Sequence, residues 1–338
     1  MNTGLKITAF AAAVAATFGT AYGVGSGVDP VTSEKKPASE HGGHPGEEEK
    51  PSGTEAGAGH ADTVPGGLQI SERGYTLDLK TPRVDAGKRE ELRFTVVKDR
   101  TDKDGTGKDS TGKDDTGQNV TAYEKEHGKE LHLIVASRDL TTYRHLHPTR
   151  AADGTWSTPV ELPQAGGYRV FADFKPAGAK EGLTLGADLS VAGKHEPREL
   201  PRPNTKASVD GYEVSLDGEL KPGKSADLTL SVARNGRPVT DLQPYLGSYG
   251  HLVALRSGDL AYLHVHPTGE PGDGRTEPGP GVSFAATAPS PGAYRLFLDF
   301  KHKGEVRTAA FTVHVGGGAA ADTDPGSEDT TEKGGHGH

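Results

Sequence analysis

The chain has 338 residues, a formal net charge of −9, 48 glycines, 23 prolines and only 32% hydrophobic residues. That length allows two ordinary domains plus segments that cannot pack into a core; the acidic balance excludes a basic phosphate-binding face, so nucleic acid is not expected as a partner. Cysteine is absent and Met1 is the sole methionine, which rules out disulfides and thiol nucleophiles and points any metal site to imidazole, carboxylate or backbone oxygen rather than Cu(I)-type sulfur ligands.

At the N-terminus, Lys6 is followed by a charge-free run from Ile7 to Val28. Residues 1–28 therefore fit either an export signal, with Ala21-Tyr22-Gly23 as a small-x-small cleavage site, or an uncleaved hydrophobic helix anchoring the chain in a membrane. Both readings put the rest of the protein outside the cytoplasm, secreted or membrane-anchored. Residues 29–65, rich in His, Glu and Gly, read as a disordered linker, and 316–338 as a disordered tail. His41, His44, His60, His336 and His338 in these segments are either solvated filler or weak, mobile metal collectors.

Between the tails the sequence is duplicated. GYTLDL from Gly74 matches GYEVSL from Gly211; the run from His132 through Pro148 matches the run from His251 through Pro267; GGYRVFADFK from Gly166 matches GAYRLFLDFK from Gly292. Short alternating apolar runs, punctuated by Gly, Pro, Asn and Asp, predict an all-β protein: two tandem immunoglobulin-like or cupredoxin-like β-sandwiches at 66–191 and 206–315, joined by a linker at 192–205. The first repeat carries a low-complexity insertion at 100–116, of the kind loops tolerate.

The phrase YRHLHP at Tyr143–Pro148 returns as YLHVHP at Tyr262–Pro267. A two-residue hairpin turn at Ser257-Gly258 would set His251 opposite His264 with His266 on the diagonal, all on one face. A turn at Arg138-Asp139 would do the same for His132, His145 and His147. Each repeat would thus offer a three-histidine site for Cu(II) or Zn(II), with water or a carboxylate as fourth ligand. Asp173 and Asp299, at matching places between phenylalanines, are candidates for that ligand, or for a carboxylate that fixes an imidazole tautomer. Plain strand-end histidines and a strand-end acid are the competing explanation. Tyr143 and Tyr262 would pack beside the imidazoles; His127, His195, His302 and His314 lack a matching histidine and read as surface residues; Trp156 reads as core.

The stretches EHGKELHLIVASRDLTTYRHLHP and DLQPYLGSYGHLVALRSGDLAYLHVHP resemble actinobacterial exported or membrane-tethered tandem β-domain proteins, usually described as uncharacterised or heavy-metal-binding. The resemblance spans about 66–315 and implies an extracytoplasmic two-domain protein that binds metal through the same six histidines. The expected function is sequestration or buffering of Cu(II) or Zn(II) without catalysis. The alternative is an immunoglobulin-like surface module with no metal. A cupin-like enzyme, which also uses an HxH pair, wants a Glu that neither PTRAAD nor PTGEPGD supplies at the usual spacing.

Overall fold

The computed structural model describes residues 65–99 and 117–316, apart from His264. The expected signal or anchor at 1–28, the linker up to residue 64, the 100–116 insertion, the tail beyond Gly316 and the candidate ligand His264 lie outside the described residues. Among the described residues every regular element is a strand.

In the first repeat the strands are β1 (Ser71–Glu72), β2 (Tyr75–Leu79), β3 (Arg83–Asp85), β4 (Arg89–Lys98), β5 (Gln118–Asn119), β6 (Tyr123–Glu124), β7 (Leu131–Ser137), β8 (Tyr143–Leu146), β9 (Thr149–Arg150), β10 (Thr155–Glu161), β11 (Gly166–Pro176) and β12 (Leu183–Ala192). The second repeat has β13 (Lys206–Val209), β14 (Tyr212–Asp217), β15 (Ser225–Arg234), β16 (Arg237–Pro238), β17 (Gly250–Arg256), β18 (Tyr262–Leu263), β19 (Val265–Pro267), β20 (Gly281–Thr287), β21 (Gly292–His302) and β22 (Glu305–Val315).

One sheet of the first repeat runs β1-β2-β4-β10-β9, the other β3-β12-β11-β7-β8; the second repeat shows β13-β14-β15-β20-β19 and β18-β17-β21-β22. β3 lies parallel to the last strand β12, while neighbours elsewhere in these paths are antiparallel. This is the strand order of an immunoglobulin-like sandwich. Its tyrosine corner is present twice: the Tyr168 hydroxyl donates to the Gln164 carbonyl at 2.9 Å, and Tyr294 to Ser290 at 2.8 Å. Each sandwich fills its interior from alternate strand positions. In the first repeat Leu133, Val135, Val170 and Ala172 meet Leu77, Phe94 and Trp156; in the second Leu252, Ala254, Leu296 and Leu298 meet Val214, Leu230 and Phe284.

The positions between those residues should face solvent in an isolated sandwich, and here they do not. Ile134, Ala136, Tyr143 and Phe171 of the first repeat form a third core with Val253, Leu255, Tyr262 and Phe297 of the second. Every residue of β7 is consequently buried. Tyr143 stacks on Phe297 with ring centroids 4.1 Å apart; its counterpart Tyr262 meets Phe171 at 5.8 Å. The two sandwiches therefore pack sheet on sheet through matching faces, each placing its β7 or β17 and its β11 or β21 at the joint.

The chain entering the first repeat ties the joint from the side. The Tyr262 amide donates to the Gly66 carbonyl at 3.0 Å, and the Gly67 amide to Thr184 at 2.8 Å. At Gly67, with φ of +74°, an added Cβ would sit 2.4 Å from the Phe171 ring, and one added at Gly186 would sit 2.0 Å from the Gly67 carbonyl oxygen. Both glycines are thus required by the closeness of this segment to β12 and to the joint.

Candidate metal centre at the junction of the repeats

Both hairpins turn later than the two-residue reading required. Ile134 faces His145 and Ala136 faces Tyr143; Ala254 faces Leu263 and Leu255 faces Tyr262. Ser137 and Arg256 continue the pairing to the carbonyls of Thr142 and Ala261 at 2.9 and 3.0 Å, so the turns occupy 138–141 and 257–260. The Asp139 carboxylate accepts from the Thr141 amide and Asp259 from the Ala261 amide, each at 3.0 Å, a local bond that competes with a tighter turn. The register slips by two residues relative to expectation. Because side chains alternate with period two, the slip leaves His132, His145 and His251 on their predicted face.

That face is the joint. His132 on β7 and His145 on β8 approach with Nδ1 of the first 3.1 Å from Nε2 of the second. His147, just beyond β8, brings its ring centroid to 4.8 Å from His145 and 5.5 Å from His132. One candidate ligand atom from each of the three lies within 4.8 Å of the others, so the fold brings together the three histidines that the sequence grouped in the first repeat.

The second repeat departs from prediction. After Leu263 the chain leaves the β17 sheet, and β19 pairs with β20 in the opposite sheet, His266 opposite Ala285. His266 is exposed there and no part of the cluster. Among the described residues, the second repeat contributes His251 and Asp299, cross-strand partners on β17 and β21, to the cluster of the first. The His251 ring lies 4.6 Å from His145 and stacks at 5.6 Å on His132. Asp299 Oδ2 is 2.8 Å from His145 Nδ1 and 3.5 Å from the Tyr143 hydroxyl, while its Oδ1 accepts from Thr308 at 2.5 Å. His145, His251 and Asp299 make a second trio with ligand atoms within 4.8 Å. Asp173, the expected equivalent, faces His132 across β11 and β7 but belongs to neither trio; it is half-buried and accepts from Thr184 at 2.8 Å.

Burial governs the charge state. It pushes the His145 imidazole down to about 3, aided by neighbouring His132, and His147 down to about 3; it lowers His132 and holds His251 well below the ordinary range. The same burial lifts the Asp299 carboxyl to about 6, against the pull of Thr308, His251 and Tyr143. The imidazoles are therefore neutral at neutral pH, the form that binds metal.

Hydrogen bonding within the cluster leaves a mismatch when Asp299 is ionised. His132 Nε2 is 3.1 Å from the Glu126 carbonyl oxygen, an acceptor only, which assigns the proton to Nε2 and leaves a lone pair on Nδ1. An ionised Asp299 accepts a hydrogen bond from the Nδ1–H of His145, so the Nε2 lone pair of His145 then faces that of His132 across 3.1 Å. A proton on Asp299 is one remedy; a cation between the lone pairs is another. In addition, His147 Nε2 and His251 Nδ1 are buried without a hydrogen-bond partner among the described residues, an arrangement that costs about 1–3 kcal/mol per group when nothing else satisfies it.

Two turns flank the cluster, at 126–129 and 245–248, each closed by reciprocal backbone bonds. The first supplies the Glu126 carbonyl and the exposed His127, whose ring is 6.1 Å from His132 and 6.2 Å from His251. The second supplies Tyr245, 6.5 Å from His145 and 6.2 Å from His147. Neither was expected at the site. The signal was the gap-free match of EHGKELH with YLGSYGH, six residues upstream of the first histidine in both copies. His302, expected at the surface, is 4% exposed, bonded to Tyr212 at 2.7 Å and Asp241 at 3.0 Å. His195 and His314 are exposed as expected, and Trp156 is core.

A family model described as Domain of unknown function (DUF8832) matches residues 70–188 and again 207–317. The chain belongs to this family. Its DUF8832 domains coincide with the two sandwiches. No curated protein matches the chain. Among solved structures, domains 4 and 5 of the S-layer protein SbsC are similar at 11% identity and a TM-score of 0.20, over 73% of this chain and 98% of that one. The D0-D1 domain of intimin gives 10% and 0.19, over 70% and 96%. Invasin, a bacterial integrin-binding protein, gives 10% and 0.19 over 70% of this chain, which spans 39% of invasin. The immunoglobulin-like assignment rests on strand order.

Proposed function

We propose that the DUF8832 pair binds a divalent transition-metal ion, Cu(II) or Zn(II), at the joint between its repeats, and sequesters it outside the cytoplasm without catalytic turnover. His132, His145 and His147 hold the ion, with His251 and Asp299 beside them. The observation that carries this reading is the convergence of the His132, His145 and His147 ligand atoms to within 4.8 Å, with His147 Nε2 buried and without a hydrogen-bond partner among the described residues. The donor set is all nitrogen and oxygen, which suits Cu(II) and Zn(II). Two cis ligands at bond lengths of about 2.0–2.1 Å lie about 2.9 Å apart at a right angle and about 3.3 Å apart in a tetrahedron; the 3.1 Å between His132 Nδ1 and His145 Nε2 falls between these values. A metal ion is the proposed partner; the membrane is a second one if residues 1–28 are retained.

Calorimetric titration of the full chain with Cu(II) and with Zn(II), beside a His132→Ala/His147→Ala variant, tests it. A tight saturable step in the wild type, lost in the variant while any weak uptake by the tail histidines persists, is the expected outcome. Equal binding by both proteins would remove the proposal.

A second reading keeps the domains as an immunoglobulin-like surface module whose histidines only glue the repeats together. The run His132–His145–Asp299–Thr308 favours it, since protonated Asp299 closes this chain without an ion. It requires that neither metal raise the melting temperature.

A further inference from the structure

Resting on the metal-binding reading, we propose that the joint takes two ions rather than one, and that the His145 imidazole bridges them. The two ligand trios share His145, and its two nitrogens are engaged on different sides. Nε2 faces His132 Nδ1 at 3.1 Å, within the first-repeat trio, and Nδ1 faces Asp299 Oδ2 at 2.8 Å, within the second. The lone pairs of the two nitrogens of one imidazole diverge in the ring plane, so no single ion binds both. The buried nitrogens without a hydrogen-bond partner among the described residues, His147 Nε2 and His251 Nδ1, sit on residues that divide the same way: His147 is in the first trio and His251 in the second. One ion bound to His132, His145 and His147 satisfies His147 and leaves His251 unpaired; a second ion on His145, His251 and Asp299 satisfies it.

The chemistry balances without a redox partner. His145 binds through both nitrogens only as imidazolate, so its remaining N–H proton passes to solvent as the second ion enters, and that ion compensates the added negative charge. Asp299 becomes a ligand in place of a hydrogen-bond acceptor, still fixed by Thr308 through its other oxygen. One ion comes to rest on residues of the first repeat, and the other on the joint itself, spanning both repeats.

The test loads the full chain with excess Cu(II), removes loosely held copper by gel filtration against a weak chelator, and compares total copper with the spin count from electron paramagnetic resonance. A bridged pair of Cu(II) ions is exchange-coupled, so two retained coppers per chain with a spin count far below the copper content is the expected result. Asp299→Asn, nearly isosteric, should retain one copper at full spin count, and a thermal melt shows whether that variant is folded. One retained copper at full intensity in the wild type, or two uncoupled ones, overturns the bridge while leaving the single-ion reading standing. No retained copper and no shift in melting temperature with Zn(II) removes both.

Discussion

The two repeats carry the same histidine phrase and use it differently. After His145 the first repeat holds its strand against β7 as far as Leu146, which faces Leu133. The second releases its strand after Leu263 and hands the following residues to the opposite sheet. A histidine two residues from a partner therefore joins the cluster only where the strand stays in the sheet that faces the joint. Their acids differ as well. Asp173 and Asp299 each sit across a strand pair from a histidine and each accept from a threonine, yet Asp299 is 1% exposed and reaches the other repeat, whereas Asp173 stays half-buried beside its own. The duplication supplied symmetric parts, and docking the two faces made one asymmetric site from them.

Breaking the joint should have the largest effect. Phe297→Ala removes the ring that stacks on Tyr143 at 4.1 Å and should destabilise the protein by about 3–5 kcal/mol, the usual range for a buried aromatic. Phe171→Ala, whose ring meets Tyr262 at 5.8 Å and a tilt of 45°, should cost less. Chemical denaturation of both variants measures this; equal, small losses would mean that the third core does not hold the repeats together.

Acidification sharpens the contrast between a site with three first-repeat imidazoles and one second-repeat carboxylate. In the chelator-treated protein, His145 and His147 are held near 3 against an unfolded value of 6.5. Unfolding then takes up protons, so their contribution is complete above pH 6.5 and is lost as pH falls from there toward 3. Asp299 has the opposite sign: raised from 3.8 to about 6, it favours the folded state fully below 3.8 and loses that contribution as pH rises through 6. The imidazoles outnumber the carboxyl, so net stability should fall between pH 7 and pH 4, with most of the loss from the more deeply buried His145. Urea midpoints that stay level over this range would show that the cluster is solvated.

Much of this was legible beforehand. The repeats, the strand period and the common face of His132, His145 and His147 all follow from the sequence pattern, because none depends on knowing what lies beyond the hairpin. Register was misread since a two-residue turn ignored the carboxylates of Asp139 and Asp259, which bond to backbone amides two residues on and set Leu140 and Leu260 at φ of 57° and 63°. That error was harmless only because it was even. The composite site lay beyond reach for a different reason: it exists only when two outward faces meet. Its trace was in HLIVA and HLVAL, where Ile134, Ala136, Val253 and Leu255 put apolar side chains at positions that a solvated face would fill with polar ones.

The two aspartates offer a smaller and more selective contrast. Asp299→Asn should weaken the tight Zn(II) step roughly 10–100-fold, as loss of a ligand or of the acceptor that orients one commonly does. Asp173→Asn should leave that step within a few-fold of wild type, because its carboxylate is committed to Thr184. Calorimetry on the pair settles the matter, and an Asp173 variant that suffers equally would restore the symmetric picture of one carboxylate per repeat.

The smallest expected effect is the most discriminating for the second repeat. His266 has the sequence position of His147, and by sequence alone the two residues are interchangeable. In the fold His266 is exposed on β19, paired into the sheet that faces away from the joint. Replacing it with alanine should leave the tight binding step, its stoichiometry and the urea midpoint unchanged, whereas His147→Ala should lose the step. An exposed substitution of this kind ordinarily moves stability by no more than about 0.5 kcal/mol. If instead His266→Ala lowers the bound metal by a full equivalent, the second hairpin must close on itself as the first does, and each repeat would then own a site.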